Sequence, residues 1–365
     1  MQRRLRYTLL CALLLCMAAF NGFASVPQPT RYYFHGYGYG SDALVHPLRL
    51  IINGGFGIMQ MENVANDVTL VDYETGFQNV WDNLCHPLKA IEYRGSKEFL
   101  LTEVFPATLN SKKAYYWPNY SLHLLGGGMS FRMMEEWFRF YELPWPRMQA
   151  LATITAYHLL NEVVENSGYV GYNTDPIADM YIFNPIGILL FSHDGVARFF
   201  SKTLNLVDWS SQTAYNPSTR SLVNNGQNFA MKYWLSKKEK VGLFYHFGTH
   251  GQVGLSFKRQ DQSCISVGMG VVANKLKNLS KEETVRQLSA DFVWTAGLFY
   301  DRNNSLLFSM IYSQSKDYKL RLNLYPGVLK YKGISPGLYF VLNQQNEPNI
   351  GLSFSFLPVG LSRHF

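Results

Sequence analysis

The chain has 365 residues and a net charge of +7, and 15% of its residues are aromatic whereas only 16% are charged. This length is ample for a sizeable core in one large domain or two smaller ones. The charge is too small to indicate a nucleic-acid partner. Between Arg147 and Asp194, the longest uncharged stretches, 148–161 and 180–192, are shorter than the about 20 apolar residues that a transmembrane helix needs.

Residues 1–24 have the features of a secretory signal peptide. Arg3, Arg4 and Arg6 precede an apolar run from Thr8 to Phe20, and Gly22-Phe23-Ala24 supplies small residues for cleavage. Removal of this segment lowers the net charge to about +4. An exported, aromatic-rich chain with no predicted spanning helix is typical of a transmembrane β-barrel. We therefore expect a location in the bacterial outer membrane, with lipid and the barrel-assembly machinery as partners.

Residues 25–77 are glycine-rich and resemble strands. The segments RYYFHGYGYG, LRLIINGGFGIMQM and DVTLVDYETGF are separated by polar turns. We predict two or three N-terminal β-strands here.

We predict that residues 78–221 form a mostly helical insert that plugs the barrel or caps it on the periplasmic side. MSFRMMEEWFRFYEL has the pattern of an amphipathic helix, and RMQALATITAYHLLNEVVENSG has helical periodicity. Trp117, Trp137 and Trp145 would suit a membrane interface, where one end of an aromatic ring stays wet.

Residues 222–365 alternate between apolar and small or polar side chains, as strands do. Val253, Leu255 and Phe257 alternate with Gly254, Ser256 and Lys258, and similar faces follow at Leu306-Phe308-Met310, Leu320-Leu322-Leu324 and Ile350-Leu352-Phe354. This pattern favours a mainly β fold, an antiparallel transmembrane barrel of about 10–12 strands, with apolar side chains facing lipid. The terminal Phe365 fits such a barrel. A soluble β-sandwich is the alternative, and it would carry more charge on its outer face.

The central helix also carries a narrow polar seam. At about 100° per residue, His158, Asn161, Glu162 and Glu165 share one arc of an otherwise apolar helix. Further polar candidates follow along the chain at Asp175, Asp179, Asn184 and His193.

These side chains have ordinary structural explanations. Asp175 and Asn184 each precede a proline, as N-caps do. His158 and Glu162, one turn apart, can pair with each other. His193-Asp194-Gly195 resembles a helix stop.

A sharper hypothesis brings His158, Glu162, Glu165, Asp175 and Asp179 into one buried cluster. Crowded carboxyl groups repel, so that one of them keeps its proton or a cation binds. Glu162, Glu165 and Asp179 are then the candidate catalytic acids, and a bound divalent metal could activate water. The sequence identifies neither the metal nor any other cofactor.

The same stretch resembles a bacterial envelope family, domain of unknown function 3943. The residues that carry this resemblance are Glu162 and Glu165 on an apolar helix, then Asp179, and then the step from Pro185 to Gly187. The resemblance implies an envelope location but no particular reaction.

The sequence therefore predicts an outer-membrane barrel with a structural role or a role in handling envelope lipids or solutes. One alternative is a membrane-embedded hydrolase that acts on envelope lipid or glycan. A narrow channel is another, indicated by Lys258, Lys319 and Arg321 on the predicted inward face.

Overall fold

The computed structural model describes residues 30–61, 67–110, 113–236, 238, 240–278 and 288–364, without the side chains of 276–278 and 288–289. Tyr32–Phe365 form one compact unit. The predicted signal peptide and Phe365 lie outside the described residues.

The N-terminal part of this unit is helical. Short 3-10 helices lie at Asp42–Leu44 and Gly57–Met61, and π-helical segments lie at Leu100–Val104, Asn119–Gly127, Asp179–Phe183 and Phe199–Thr203. The α-helices are α1 Pro47–Gly55, α2 Tyr73–Cys85, α3 Pro87–Arg94, α4 Ser96–Phe99, α5 Tyr116–Pro118, α6 Gly128–Phe140, α7 Pro146–Glu165, α8 Asp175–Ala178, α9 Asn184–Phe191 and α10 Asp194–Arg198. None of the helices in the described ranges combines the length and the hydropathy required to traverse a bilayer.

The prediction of N-terminal strands is wrong in the described residues, because α1 and the following 3-10 helix occupy LRLIINGGFGIMQM. Pro47 takes the first position of α1, and the His46 side chain accepts a hydrogen bond from the Leu48 N–H. A Cβ atom at Gly54 would lie 2.6 Å from the Tyr157 ring on α7. The glycine that resembled a strand residue instead lets two helices approach closely.

The C-terminal part is one large sheet, as the mainly β prediction requires. Its strands are β1 Val207–Asp208, β2 Ala214–Asn216, β3 Ser221–Val223, β4 Phe229–Trp234, β5 Val241–Phe247, β6 His250–Lys258, β7 Ser263–Asn278, β8 Leu288–Arg302, β9 Ser305–Ser313, β10 Leu320–Leu324, β11 Gly337–Leu342, β12 Pro348–Ser353 and β13 Gly360–His364. The first strands thus begin within the range predicted to be a helical insert.

The order of the sheet differs from the predicted barrel in three respects. The described residues form 13 strands rather than 10–12, in the order β1-β4-β5-β6-β7-β8-β9-β10-β11-β12-β13-β2-β3. The pair β13–β2 is parallel. In the described part of the chain the sheet is not closed as a barrel, because β1 and β3 lie at the two ends of this order.

The two faces of the sheet differ in the direction that the alternation predicts. Val253 on β6 is 62% exposed and Met269 on β7 is 59% exposed, whereas Gln252 and Ser266 on the same two strands are fully buried. The exposed apolar side chains on the outer face of the strands are Tyr233, Leu243, Val253, Leu255, Phe257, Ile265, Val267, Met269, Val271, Phe292, Trp294, Met310, Tyr312, Ile350, Leu352 and Leu361.

Leu306 departs from this pattern. A β-bulge pairs Asp301 with Leu306 and Tyr300 with Phe308, so Leu307 is an extra residue in β9. Because of the bulge, the Leu306 side chain points to the opposite side of the sheet from Met310. Leu306 is buried, and Met310 is exposed. The predicted common face of Leu306, Phe308 and Met310 is therefore wrong at its first residue.

The inner face combines aromatic packing with paired polar groups. Trp209 packs against Phe299 at a ring distance of 5.6 Å. The Lys232 ammonium lies 2.6 Å from the Asp301 carboxylate, and both side chains are completely buried. Because each charge has its partner, this interior tolerates polar groups that would otherwise be costly to bury.

The helices contact the sheet around β1–β4. Asn53 of α1 donates to the Ser211 carbonyl at 3.1 Å and accepts from the Gly226 N–H at 2.6 Å. Gln227 donates to the Ser130 hydroxyl of α6 at 3.0 Å. The helices therefore lie against the same strands that carry the two ends of the sheet.

Candidate functional site

The site lies where α7 meets two π-helical segments. Helix α7 packs against α1, α2 and α6, and it carries His158 and Glu162 one turn apart. The segment Asn119–Gly127 carries His123, and Asp179 begins the segment Asp179–Phe183. Such π-helical turns place a side chain outside the regular α-helical spacing and are frequent at functional sites.

His123, Glu162 and Asp179 converge, and we call this group the acid–imidazole cluster. Each offers one nitrogen or oxygen atom, and these atoms all lie within 4.8 Å of one another. All three side chains are buried, with Glu162 and Asp179 each 1% exposed. The arrangement thus places two carboxyl groups and one imidazole in a dry environment.

The contacts of His123 define the direction of its ring. Its Nδ1 lies 3.1 Å from the Asn184 amide oxygen, and its Nε2 lies 3.0 Å from Asp179 Oδ2. With the amide oxygen as acceptor, Nδ1 carries the proton and donates it to Asn184. The lone pair of a neutral Nε2 then faces a carboxyl oxygen, so a proton or a cation must lie between them.

Burial dominates the electrostatics of the cluster. It raises the pKa of Asp179 well above its usual value, and the nearby carboxyl groups of Asp175, Glu162 and Glu103 raise it further. Burial lowers the pKa of His123 to about 4. It also lowers the pKa of His158 strongly, with a smaller contribution from His123. At neutral pH both imidazoles are therefore neutral.

The structure brings together part of the predicted set. Glu162 and Asp179 belong to the acid–imidazole cluster. His158 lies beside it, with its ring 4.7 Å from the ring of His123, and does not form the predicted pair with Glu162, because neither ring nitrogen has a hydrogen-bond partner in the described residues. Glu165 is buried at the end of α7, outside this set of three.

The remaining predicted residues have other positions. Asn161 donates to the Gly54 carbonyl at 3.2 Å and so joins α7 to α1. His193 is exposed and lies between α9 and α10, but Asp194 and Gly195 begin α10, so the helix-stop interpretation is wrong for these two residues. Asp175 lies in the first turn of α8, close enough to raise the pKa of Asp179.

The N-cap interpretation is wrong for Asp175 and Asn184. Asp175 is the first residue of α8, whose N-cap is Thr174, and Asn184 is the first residue of α9, whose N-cap is Phe183. Neither helix has a side-chain cap. The Asn184 side chain instead holds His123, because the preceding π-helical segment continues directly into α9 and needs no cap.

The sequence reasoning missed His123. This residue lies in the apolar run SLHLLGGG, and helical-arc arguments compare only residues of one helix. The glycines that follow were a usable signal in the sequence, because glycine lets other groups approach the backbone closely. In the structure, a Cβ at Gly127 would lie 2.9 Å from His158 Nε2 and 3.7 Å from the Asn184 oxygen. A side chain there would fill the space next to these polar groups.

A second buried ion pair supports the same helical layer and was also missed. Arg94 binds the Glu103 carboxyl and the Thr174 hydroxyl, and it donates to the Thr102 hydroxyl at 2.8 Å. Burial raises the pKa of Glu103 to about 7 in spite of the Arg94 charge. Its carboxyl is therefore held by a protein cation.

Comparisons with known proteins found no relative of this chain. A scan against protein-family models found no match, and searches of curated proteins and of solved structures found none either. The resemblance to the envelope family of unknown function stays a prediction.

Proposed function

We propose that this chain is an outer-membrane β-barrel protein that anchors its helical insert at the membrane. The observation that carries the proposal is the outer face of the sheet. A row of exposed apolar side chains crosses β4–β9 and continues on β12 and β13. Contiguous apolar surface of this extent is rare on soluble monomers and is typical of a wall that faces lipid.

The inner face supports the same proposal against a soluble sandwich. A sandwich buries apolar side chains between its sheets and exposes polar ones. Here Ser256 and Ser266 are fully buried and share a hydrogen bond of 2.6 Å, and Gln252 donates to the Thr295 hydroxyl at 2.9 Å. Polar groups that pair inside the sheet are those expected of a narrow barrel interior.

Closure of the barrel is part of the proposal. The segments 207–216 and 221–230 run antiparallel, with β1 paired to β4 and β2 paired to β3. Between these pairs, the Trp209 N–H donates to the Asn228 carbonyl at 2.8 Å and the Ser211 N–H donates to the Gly226 carbonyl at 3.0 Å. These backbone hydrogen bonds would seal the seam between the two ends of the sheet, where an open edge would invite aggregation.

The surface of the insert is also suited to a bilayer. On α9, Ile186, Leu189 and Leu190 are exposed, and Phe199 follows on the next segment. Trp117 and Trp145 are exposed as well, while Trp137 is half-buried. An apolar helical face with exposed tryptophans would rest at the membrane interface.

The hydrolase alternative requires carboxyl groups that a substrate can reach. Because Glu162 and Asp179 are enclosed, we do not extend the proposal to hydrolysis.

The proposal is tested by labelling the folded full chain in phospholipid vesicles with a photoactivatable apolar lipid probe, followed by peptide mass spectrometry. We expect labels on Val253, Met269 and Trp294 but none on Gln252 or Thr295. Labelling confined to residues of the inner face, or a chain that stays monomeric in water and unlabelled, would overturn the proposal.

A further inference from the structure

We propose that His123, Glu162 and Asp179 bind one divalent transition-metal ion. This inference concerns the acid–imidazole cluster alone and does not depend on the membrane location of the sheet.

The spacing of the donor atoms fits a shared ion. Ligand atoms about 2.1 Å from one metal lie about 3.0–3.5 Å apart at octahedral or tetrahedral angles. His123 Nε2 and Asp179 Oδ2 are 3.0 Å apart. An oxygen of Glu162 lies within 4.8 Å of a ligand atom of each of these two residues and supplies the third donor of the set.

Two buried polar groups at the cluster have no hydrogen-bond partner among the described residues. They are the Oδ1 atom of Asp179 and the ring of His158, which is only 2% exposed and stacks on His123. A buried polar atom without a partner is costly, and a bound ion or a water molecule is one of the groups that can satisfy it. A bound cation would satisfy Asp179 directly.

The surroundings of His123 match those of a metal ligand. Histidines that bind metals donate their second ring N–H to a fixed acceptor, which orients the ring. Asn184 supplies that acceptor at 3.1 Å, and its own amide nitrogen lies 3.5 Å from the Met180 sulfur. The ring of His123 is therefore held with Nε2 directed at Asp179 before any ion arrives.

The donor set favours a particular class of ion. One imidazole nitrogen with two carboxyl oxygens suits Zn²⁺, Mn²⁺ or Fe²⁺. Ca²⁺ prefers six to eight oxygen ligands, which this enclosed group does not supply. We therefore expect Zn²⁺ and Mn²⁺ to bind in preference to Ca²⁺.

The test uses the purified full chain, stripped with a chelator and then dialysed against Zn²⁺, Mn²⁺ or Ca²⁺ separately. We expect about one Zn²⁺ or Mn²⁺ per chain by elemental mass spectrometry. Asp179→Asn and Glu162→Gln should weaken binding at least tenfold, because each replaces a carboxylate donor by a neutral amide of nearly the same shape. Asp208→Asn is the matched control, since Asp208 is a half-buried carboxyl outside the cluster whose partner is Ser210.

A further variant covers the case in which the carboxamide variants do not fold. Asn184→Ala removes the acceptor of His123 without removing a donor to the metal, and it should weaken binding by about 10–100-fold. X-ray absorption of the Zn²⁺ form should show nitrogen and oxygen ligands. Absence of stoichiometric metal in the folded wild type would overturn the proposal. Equal binding by the wild type and by Asp179→Asn, Glu162→Gln and Asn184→Ala would overturn it as well.

Discussion

Glu136 determines how the start of the described chain is attached to the helices. Its carboxylate accepts the backbone N–H groups of Tyr32, Tyr33 and Phe34 at 2.8–3.0 Å, and Arg132 donates to it at 3.0 Å. Burial raises its pKa, and these donors oppose the shift. A carboxylate with four donors is a stronger attachment than any neutral side chain at this position.

Glu136→Gln should lower the free energy of unfolding by about 2–4 kcal/mol, because an amide N–H would then face backbone N–H donors. The control is Glu135→Gln on the adjacent position, whose partner Arg139 is 44% exposed at its side chain. We expect the control to cost about 1 kcal/mol or less. Denaturant unfolding curves of both variants measure the difference, and equal effects would contradict this role of Glu136.

Prediction from sequence at this scale was limited to what one helix shows. Glu162 lies on the predicted polar seam of α7, but its spacing did not distinguish it from His158, Asn161 and Glu165 on the same arc. The sequence also pointed to Asp179 as a nearby carboxyl. The position of His123 and its hydrogen bond to Asn184 instead depend on contacts between different segments. Such contacts follow from packing, which periodicity does not encode.

Glycines set the distance between the elements that carry the site. A Cβ at Gly187 of α9 would lie 2.5 Å from the Leu124 carbonyl and 3.1 Å from that of His123. These carbonyls belong to the π-helical segment of the cluster. The position of His123 therefore depends on the absence of a side chain at residue 187.

Gly187→Ala should destabilise the chain by about 1–3 kcal/mol, because the added methyl group meets backbone atoms that cannot rotate away. Gly195→Ala is the matched control, since a Cβ at Gly195 in α10 meets no atom within 4 Å. An alanine there should be neutral or stabilising by up to about 1 kcal/mol. Thermal or denaturant unfolding distinguishes the two variants, and a neutral Gly187→Ala would refute the close contact.

The elements were predictable where a pattern was long. α6 and α7 follow from helical periodicity, and the alternation of β6 and β12 is visible in the sequence. α1 was mistaken for a strand because a short apolar run with glycines fits both structures. The bulge that turns Leu306 inward had no sequence signal, since one inserted residue is set by pairing with the neighbouring strand.

The compact unit combines a mixed sheet with helices that contact the sheet around β1–β4. Apart from Leu306, the alternation quoted from the sequence predicted which side chains of the strands lie outside and which lie inside, because it is a local property of a strand. It did not predict the parallel β13–β2 pair or the placement of β1 and β3 at the ends of the sheet, which depend on residues far apart in sequence. The proposed lipid contact rests on the outer face and not on the number of strands.

The most direct test of that contact is the free energy of unfolding from phospholipid vesicles for Val253→Arg and Gln345→Arg. Val253 belongs to the exposed apolar face and is 62% exposed, whereas Gln345 lies in an exposed turn after β11. An arginine in the lipid-facing wall should cost about 2–4 kcal/mol, and one in a water-exposed turn about 0.5 kcal/mol or less. Equal, small effects of both substitutions would show that Val253 faces water and would contradict the proposed membrane location.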